Sequence, residues 1–409
     1  MSDPRRYRWY VLAASVLMLL MANGAMFLMI VAMVDIADSF GWPRSVPATA
    51  YSLQFIGGGL GGIVMGWWLD RAGMGKPALL GAVMMGGGAM AVSVVTTQWQ
   101  LWAVFGVMIG LLGNATMFAP LMANITRWFE RSRGMAVGIV ASGQSLAGFL
   151  WPPIFQTGLA EIGWRQTFLY YGIVAIAVMV PLSLVLKRNP PPVDHAAAAR
   201  AEAGQDRSAT IYRLSSNTLL ALLCCAIVGC CTAMSLPFGH LKSYATDIGI
   251  APMQAATLLS VMLLASFVAR ALVAGLLIGR YGALKALFAF STLQGVMLTI
   301  LPFTEGLAGF YVVAAMFGLG YGGIGPCYPV VVREYLPERR AGKYTAIVIM
   351  FGTFGMALGG WLGGLGFDLT GSYRAAFLIG TGFNIANLAI VGFLIGLTRT
   401  RSLERVAAA

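Results

Sequence analysis

Clusters of charged residues divide this chain into twelve long apolar runs. A helix that spans a bilayer needs about 20 predominantly apolar residues, and the alternation typical of membrane β-strands is missing from these runs. The sequence therefore predicts an all-α integral membrane protein with twelve transmembrane helices. The runs cover residues 9–34, 48–69, 77–96, 101–126, 134–155, 167–186, 217–240, 253–278, 286–304, 307–332, 344–366 and 375–397.

The composition agrees with a membrane protein. Only 10% of the residues are charged, whereas soluble domains average about 25%. These values argue against a soluble enzyme and a disordered chain. The first apolar run is long enough to span the bilayer, so we expect it to be retained as a helix and not cleaved as a signal peptide. The five cysteines lack metal-ligand spacing, and neither a metal nor a cofactor is expected.

The basic residues predict the orientation. Of the 27 lysines and arginines, 22 lie in the N-terminal segment, the C-terminal segment or the loops that follow even-numbered runs. Cytoplasmic loops carry the excess of basic residues, so both termini are predicted to be cytoplasmic. The net charge of +12 is then a consequence of topology, and no nucleic-acid partner is expected.

A repeat indicates that the chain contains two related halves. Residues 66–73 recur at 275–282, displaced by 209 positions, and residues 130–134 recur at 338–342, displaced by 208. We therefore predict two pseudo-symmetric six-helix bundles, at 1–188 and 217–409, joined by a cytoplasmic linker at 189–216. The charged residues of the repeated turns are candidates for a cytoplasmic gate, and they are Asp70, Arg71, Arg131, Arg133, Arg280 and Arg340.

Arg270 stands out because it is the one basic residue that the sequence places inside an apolar run. An arginine at the bilayer centre costs about 2.5–3.5 kcal/mol even on a lenient scale. The 15 acidic residues all lie at the ends of the runs or outside them, so the missing counter-ion is predicted to be the substrate. A guanidinium matches a carboxylate through two parallel hydrogen bonds, and a single arginine favours a monoanion.

Uncharged polar residues in the runs are further candidates for substrate contact. Asn114 and Tyr321 are the preferred ones, while hydrogen bonding between helices is an equally good explanation for Tyr328 and Gln144. His240 ends the seventh run near the outer side. Its imidazole titrates near neutral pH, so it is a candidate proton acceptor, and the alternative is that it caps the helix end.

The motifs resemble those of the major facilitator superfamily over essentially the whole chain. Residues 66–73 resemble the Gly-x-x-x-Asp-Arg-x-Gly signature between helices two and three of that superfamily. Residues 128–138 (WFERSRGMAVG) are similar to a signature of monocarboxylate transporters, and Phe267–Arg270 resembles the substrate-arginine helix of the same branch. The resemblance implies a secondary transporter that works by alternating access, with a site near the midplane.

The charge pattern of the chain departs from that branch. Phe27 stands near the position of a helix-one lysine, and Ser266 stands one turn before Arg270, where the monocarboxylate family usually has an aspartate. Oxalate exchangers carry a second cation near the position of Phe351. Ser266 thereby becomes a candidate substrate contact, and the charge set of neither family is complete.

The leading hypothesis is a proton-coupled symporter for a small monocarboxylate such as lactate or pyruvate. The alternative is a carboxylate exchanger or uniporter without proton coupling. A receptor built on the same fold is disfavoured because the sequence supplies no soluble output domain, and an enzyme is disfavoured because the runs contain no catalytic constellation. We expect a monomer in a bacterial inner membrane, with the lipid bilayer, the carboxylate and protons as its partners.

Overall fold

The fold consists of long helices, as the apolar runs predict. A computed structural model describes residues 4–129, 133–188, 214–337 and 341–407, and these contain helices and no strands. We number the helices α1 Pro4–Phe40, α2 Ser45–Ala72, α3 Gly75–Ser93, α4 Gln98–Trp128, α5 133–162, α6 164–185, α7 Ser216–Asp247, α8 Pro252–Tyr281, α9 Ala283–Ile300, α10 Gly306–Tyr335, α11 Ala341–Thr370 and α12 Tyr373–Ala407.

Nine helical stretches of the described chain are long and apolar enough to cross a membrane. One of them, Met135–Val185, contains both α5 and α6 because Gly163 interrupts it with a φ of 76°. A positive φ is accessible to glycine without strain, so the chain can reverse there. The glycine-rich helices α2 and α3 are not among the nine. The twelve helices numbered above are consistent with the predicted count.

The sequence repeat is also a repeat of backbone conformation. Gly73 ends α2 with φ 71° and ψ 177°, and Gly282 ends α8 with φ 84° and ψ 159°. Each glycine donates its backbone N–H to the carbonyl oxygen four residues earlier, at Leu69 and Ile278, over 3.0 and 2.9 Å. The two turns therefore end their helices in the same way.

Two helices contain π-helical segments. In α4 the segment covers Val104–Asn114, and in α8 it covers Ala269–Val273. Such segments are rare and occur frequently at functional sites. One ends at the candidate residue Asn114 and the other contains the candidate residue Arg270, so both segments coincide with positions chosen from the sequence.

Glycines in the clusters 57–62 and 359–364 allow close helix packing. A Cβ on Gly57 of α2 would lie 2.8 Å from the backbone nitrogen of Leu111 in α4. A Cβ on Gly359 of α11 would lie 2.8 Å from the Cβ of Ser235 in α7. These helices approach each other at distances that leave no space for a larger residue.

The described residues form two compact units. The first comprises residues within Met1–Pro192, Phe238–Leu264 and Gly360–Tyr373, and the second comprises residues within Val193–Pro237, Ala265–Gly359 and Arg374–Ala409. The first unit includes parts of α7, α8 and α11, and the division into two six-helix bundles stays a prediction. The predicted linker lies largely outside the described residues.

Candidate functional site

Arg270 lies in the π-helical part of α8, within the second unit. Its Nε atom is buried and has no hydrogen-bond partner among the residues that the structure describes. A Cβ on Gly325 of α10 would lie 3.9 Å from the Nη2 atom of Arg270, so the absence of a side chain at Gly325 keeps space beside the guanidinium. A buried N–H without an acceptor is costly, and an anionic ligand could supply the acceptor.

Ser266 lies one helical turn before Arg270 and faces the backbone of α10. It is fully buried, and its Oγ has no partner in the described part of the chain. A Cβ on Gly322 would lie 2.6 Å from the Cα of Ser266, so α8 and α10 are in backbone contact at this level. Tyr321, next to Gly322, is also buried. The structure therefore brings Ser266, Arg270 and the Tyr321 segment of α10 close together in the second unit.

Gly322→Ala is expected to destabilise the protein. The added methyl group would overlap the backbone of Ser266, and the overpacking should lower the free energy of unfolding by about 1–3 kcal/mol. The apparent Tm of purified protein in detergent measures the effect. Gly382→Ala in α12 is the matched control, since no atom lies within 4 Å of a Cβ there. Equal Tm values for the two variants would contradict the close contact.

Tyr328 belongs to a separate hydrogen-bond network in the second unit. Its hydroxyl donates to Oδ1 of Asn387 over 3.5 Å, and Nδ2 of Asn387 donates to Oδ1 of Asn384 over 3.2 Å. Nδ2 of Asn384 in turn donates to the carbonyl oxygen of Ser291 over 2.8 Å. The network joins α10, α12 and α9, in line with the helix-to-helix alternative that the sequence leaves open. Substrate contact by Tyr328 stays a prediction.

Asn114 and Gln144 lie in the first unit, on α4 and α5, and both are half-buried. A Cβ on Gly58 of α2 would lie 3.0 Å from the Nδ2 atom of Asn114. A Cβ on Gly61 of α2 would lie 2.7 Å from the Cβ of Ala115 in α4, so the amide of Asn114 lies beside a face of α2 that contains two glycines. Their substrate contacts also stay predictions.

His240 is fully buried in the first unit and does not end its helix, because α7 continues to Asp247. Its Nε2 lies 2.8 Å from the carbonyl oxygen of Gly360, so this nitrogen carries the proton and donates. Its ring lies 5.1 Å from that of Tyr373, and Nδ1 has no described hydrogen-bond partner. One imidazole nitrogen thus stays available to accept a proton.

Lys242 follows the seventh apolar run, which ends at residue 240, so the sequence predicts that it lies in an outer loop. It lies inside α7 and only 3% of it is exposed. Its Nζ donates to the carbonyl oxygen of Val31 over 2.8 Å and lies 3.9 Å from Oδ2 of Asp35. This prediction is wrong because the helix does not end with the apolar run at His240 and extends seven residues further, to Asp247. The described helices therefore contain Lys242 as a further cation besides Arg270.

Arg44, at the start of α2, is the centre of a polar cluster that sequence reasoning missed. Its Nη1 forms an ion pair with Asp247, and its Nη2 donates to Oδ1 of Asp247 over 2.8 Å. The guanidinium carbon lies 3.8 Å from the centre of the Phe367 ring, and Nη1 donates to the hydroxyl of Tyr373 over 3.4 Å. The backbone N–H groups of Arg44 and Ser45 donate to the two oxygens of Asp368, each over 2.8 Å.

These contacts, which we call the Arg44 cluster, join the N-terminus of α2 to the ends of α7, α11 and α12 nearest the predicted outer side. Burial lowers the pKa of Arg44, but the hydrogen bonds and charges of Asp247 and Tyr373 outweigh burial and raise the pKa above its usual value. All members lie in the first unit. Sequence reasoning missed this cluster because its members are far apart in the chain.

The structure describes the side chains of only two residues of the predicted cytoplasmic gate, Arg71 and Arg280. The guanidinium carbon of Arg71 lies 3.7 Å from the centre of the Trp67 ring, and that of Arg280 lies 5.6 Å from the centre of the Tyr281 ring. Arg131, Arg340 and the side chains of Asp70 and Arg133 lie outside the described residues. The gating role of these residues stays a prediction.

Comparison with known proteins now identifies the family. The family model of the Major Facilitator Superfamily matches residues 13–274 and 221–408. The chain belongs to this superfamily. Members are transporters and not enzymes, and the apolar helices of this major facilitator protein are those of an integral membrane protein.

Several curated proteins are similar to this major facilitator chain. It is 26% identical to monocarboxylate transporter 13 of Bos taurus over 324 residues, which cover 77% of this chain and 72% of that protein. It is 24% identical to the uncharacterized MFS-type transporter YcxA of Bacillus subtilis over 378 residues, or 90% of each chain. It is 29% identical to the MFS-type transporter pynF of Aspergillus niger over 279 residues, or 68% of this chain and 62% of that protein.

Solved structures support the fold. A bacterial homolog of the human lysosomal transporter Spinster, in an inward-facing and unoccupied conformation, aligns with a TM-score of 0.69 at 18% identity, covering 98% of this chain and 96% of that one. The nucleoside transporter NupG, as a mutant, aligns with a TM-score of 0.71 at 12% identity, covering 94% and 98%. These similarities establish the major facilitator fold alone.

Proposed function

We propose that the protein is a secondary transporter of a small monocarboxylate, such as lactate or pyruvate, that operates by alternating access in a bacterial inner membrane. The observation that carries the proposal is the buried Nε of Arg270, which lacks a described partner. The similarity to a monocarboxylate transporter supports the same class of substrate. The carboxylate would accept two hydrogen bonds from the guanidinium.

Ser266 would complete the carboxylate site from the same helix face. Residues four apart on a helix lie on one side of it, and the Oγ of Ser266 is buried without a described partner. Gly325 leaves space on the adjoining face of α10, beside the guanidinium. A small carboxylate would therefore meet one cation and one hydroxyl, a set that suits a monoanion better than a dianion.

We propose proton-coupled symport as the mode of transport, with His240 as the candidate proton acceptor. Its Nδ1 is buried without a described partner, so a proton could reach this nitrogen only when the packing around it opens. Protonation would then accompany a conformational change, as coupling requires. The alternative is an exchanger or uniporter without proton coupling, which is favoured by serine at position 266, where the monocarboxylate family usually has an aspartate.

Uptake into proteoliposomes tests the proposal. Labelled lactate should accumulate when an inward proton gradient is imposed on vesicles that contain no internal anion. Accumulation that requires internal carboxylate would instead establish exchange. If lactate, pyruvate and other small monocarboxylates all fail to enter under either condition, the proposed substrate class is wrong.

His240→Ala tests the coupling residue in the same vesicles. Proton-driven accumulation should fall by about tenfold while carboxylate exchange continues, because exchange needs no net protonation. Ser235→Ala in α7 is the control, since Ser235 is buried on the same helix and hydrogen-bonds to the Met356 carbonyl without titrating. A wild-type pH profile in His240→Ala would exclude His240 as the acceptor.

A further inference from the structure

A cluster of aromatic and basic side chains surrounds the start of α1 at the predicted cytoplasmic side of the first unit. The rings of Tyr7 and Trp128 lie 5.7 Å apart, and those of Trp9 and Phe129 lie 5.3 Å apart. The guanidinium carbon of Arg8 lies 5.2 Å from the centre of the Phe129 ring. The first residues of α1 therefore pack against the last residues of α4.

Two hydrogen-bond donors in this cluster have no acceptor among the described residues. They are Nε1 of Trp128 and Nε of Arg8, and both atoms are buried. Trp128 is only 7% exposed, and indole N–H groups usually find a partner when buried. Arg8 is half-buried, so its side chain is partly accessible from outside the cluster.

The surface around the donors has the character of a membrane interface. Trp9 is 48% exposed and Tyr10 is 63% exposed. Tryptophan and tyrosine are enriched where the headgroups lie. A second cation is close, because the guanidinium carbon of Arg188 lies 4.7 Å from the centre of the Tyr7 ring. The hydroxyl of Tyr7 donates to the carbonyl oxygen of Val185 over 2.7 Å, which fixes the ring between α1 and α6.

We propose that Arg8 and Trp128 bind the phosphate of an anionic lipid headgroup. The phosphate oxygens accept from the two N–H groups, the guanidinium supplies the opposite charge, and the exposed aromatic rings lie beside the glycerol backbone. General attraction of cytoplasmic arginines to anionic lipid does not account for buried donors. Arg333, for example, is an arginine in the last turn of α10 whose side chain is exposed.

Native mass spectrometry of the purified full-length protein tests this site. Dioleoylphosphatidylglycerol is the probe, and dioleoylphosphatidylcholine is the neutral comparison. Trp128→Phe keeps an aromatic ring without the N–H, and Arg8→Gln removes the charge. Each should weaken phosphatidylglycerol binding by about tenfold, because each removes a charge-assisted hydrogen bond. Arg333→Gln and Trp67→Phe, at an exposed arginine and an exposed tryptophan, should bind as the wild type does.

Several results would overturn the proposal. These are equal binding of the two lipids to the wild type, wild-type affinity in both Trp128→Phe and Arg8→Gln, or an equal loss in Arg333→Gln. Displacement of phosphatidylglycerol by millimolar inorganic phosphate would assign the site to a soluble anion instead. If Arg8→Gln does not fold, Arg8→Lys replaces it, since lysine keeps the charge and lacks the Nε–H group, and a partial loss is expected.

Discussion

Arg270→Lys is expected to reduce carboxylate uptake by about a hundredfold in kcat/KM, which corresponds to about 3 kcal/mol of lost transition-state stabilisation. The ammonium keeps the positive charge but cannot form the two parallel hydrogen bonds of a guanidinium. Initial rates of labelled lactate uptake into proteoliposomes measure the change. The loss should be similar with and without a proton gradient, because Arg270 is proposed to bind the carboxylate and not the proton.

Arg333→Lys is the matched control for this substitution. It makes the same chemical change at an exposed position in the last turn of α10, and uptake should stay at the wild-type rate. A thermal-shift measurement separates binding from folding. Lactate should raise the Tm of the wild type and leave that of Arg270→Lys unchanged. Wild-type uptake by Arg270→Lys would contradict the anchoring role.

Arg44→Ala is expected to loosen the packing of α2, α7, α11 and α12 at the Arg44 cluster. The substitution removes both hydrogen bonds to Asp247 and the contact with Phe367. Breaking a partly buried ion pair of this kind costs about 2 kcal/mol. The equilibrium between the packed form of the cluster and a form in which these contacts are broken should therefore move about thirtyfold towards the broken form. Asp247→Asn should have a smaller effect, because the amide can still accept one hydrogen bond.

Cysteine labelling measures this opening. Ser52 is a suitable reporter because it is only 4% exposed and would lie 2.9 Å from a Cβ on Gly360. Ser52→Cys in a background without native cysteines should react with an impermeant maleimide faster when Arg44→Ala is added. The control is Arg165→Ala, since Arg165 donates to the Ser93 carbonyl outside the cluster. Equal labelling rates with and without Arg44→Ala would contradict the expected opening.

The sequence predicts the class of fold well, for a physical reason. Apolar runs of spanning length have few alternatives to helices in a membrane, because each backbone polar group must be bonded within its own segment. The sequence motif repeated at Gly73 and Gly282 also corresponds to a structural repeat, since both glycines adopt a positive φ and end their helices alike. Arg270 was found by placing the charges, and the structure leaves its Nε without a described partner.

The contacts that could not be predicted join residues that are distant in the chain. Arg44 meets Asp247 and Asp368, at separations of 203 and 324 residues, and a single sequence contains no signal for such pairs. Lys242 was misplaced for a different reason. Polar residues after His240 suggested a loop, but packing against α1 provides a carbonyl acceptor and a nearby carboxylate, so the helix continues. Tertiary contacts outweighed local composition there.

The π-helical segment Ala269–Val273 affects how related chains should be aligned. Successive residues of an α-helix are rotated by about 100°, so one additional residue in a turn shifts every later side chain to a new face. A relative with an uninterrupted α-helix here would need a one-residue gap near Arg270. Without that gap, an alignment would match residues that lie on different sides of α8.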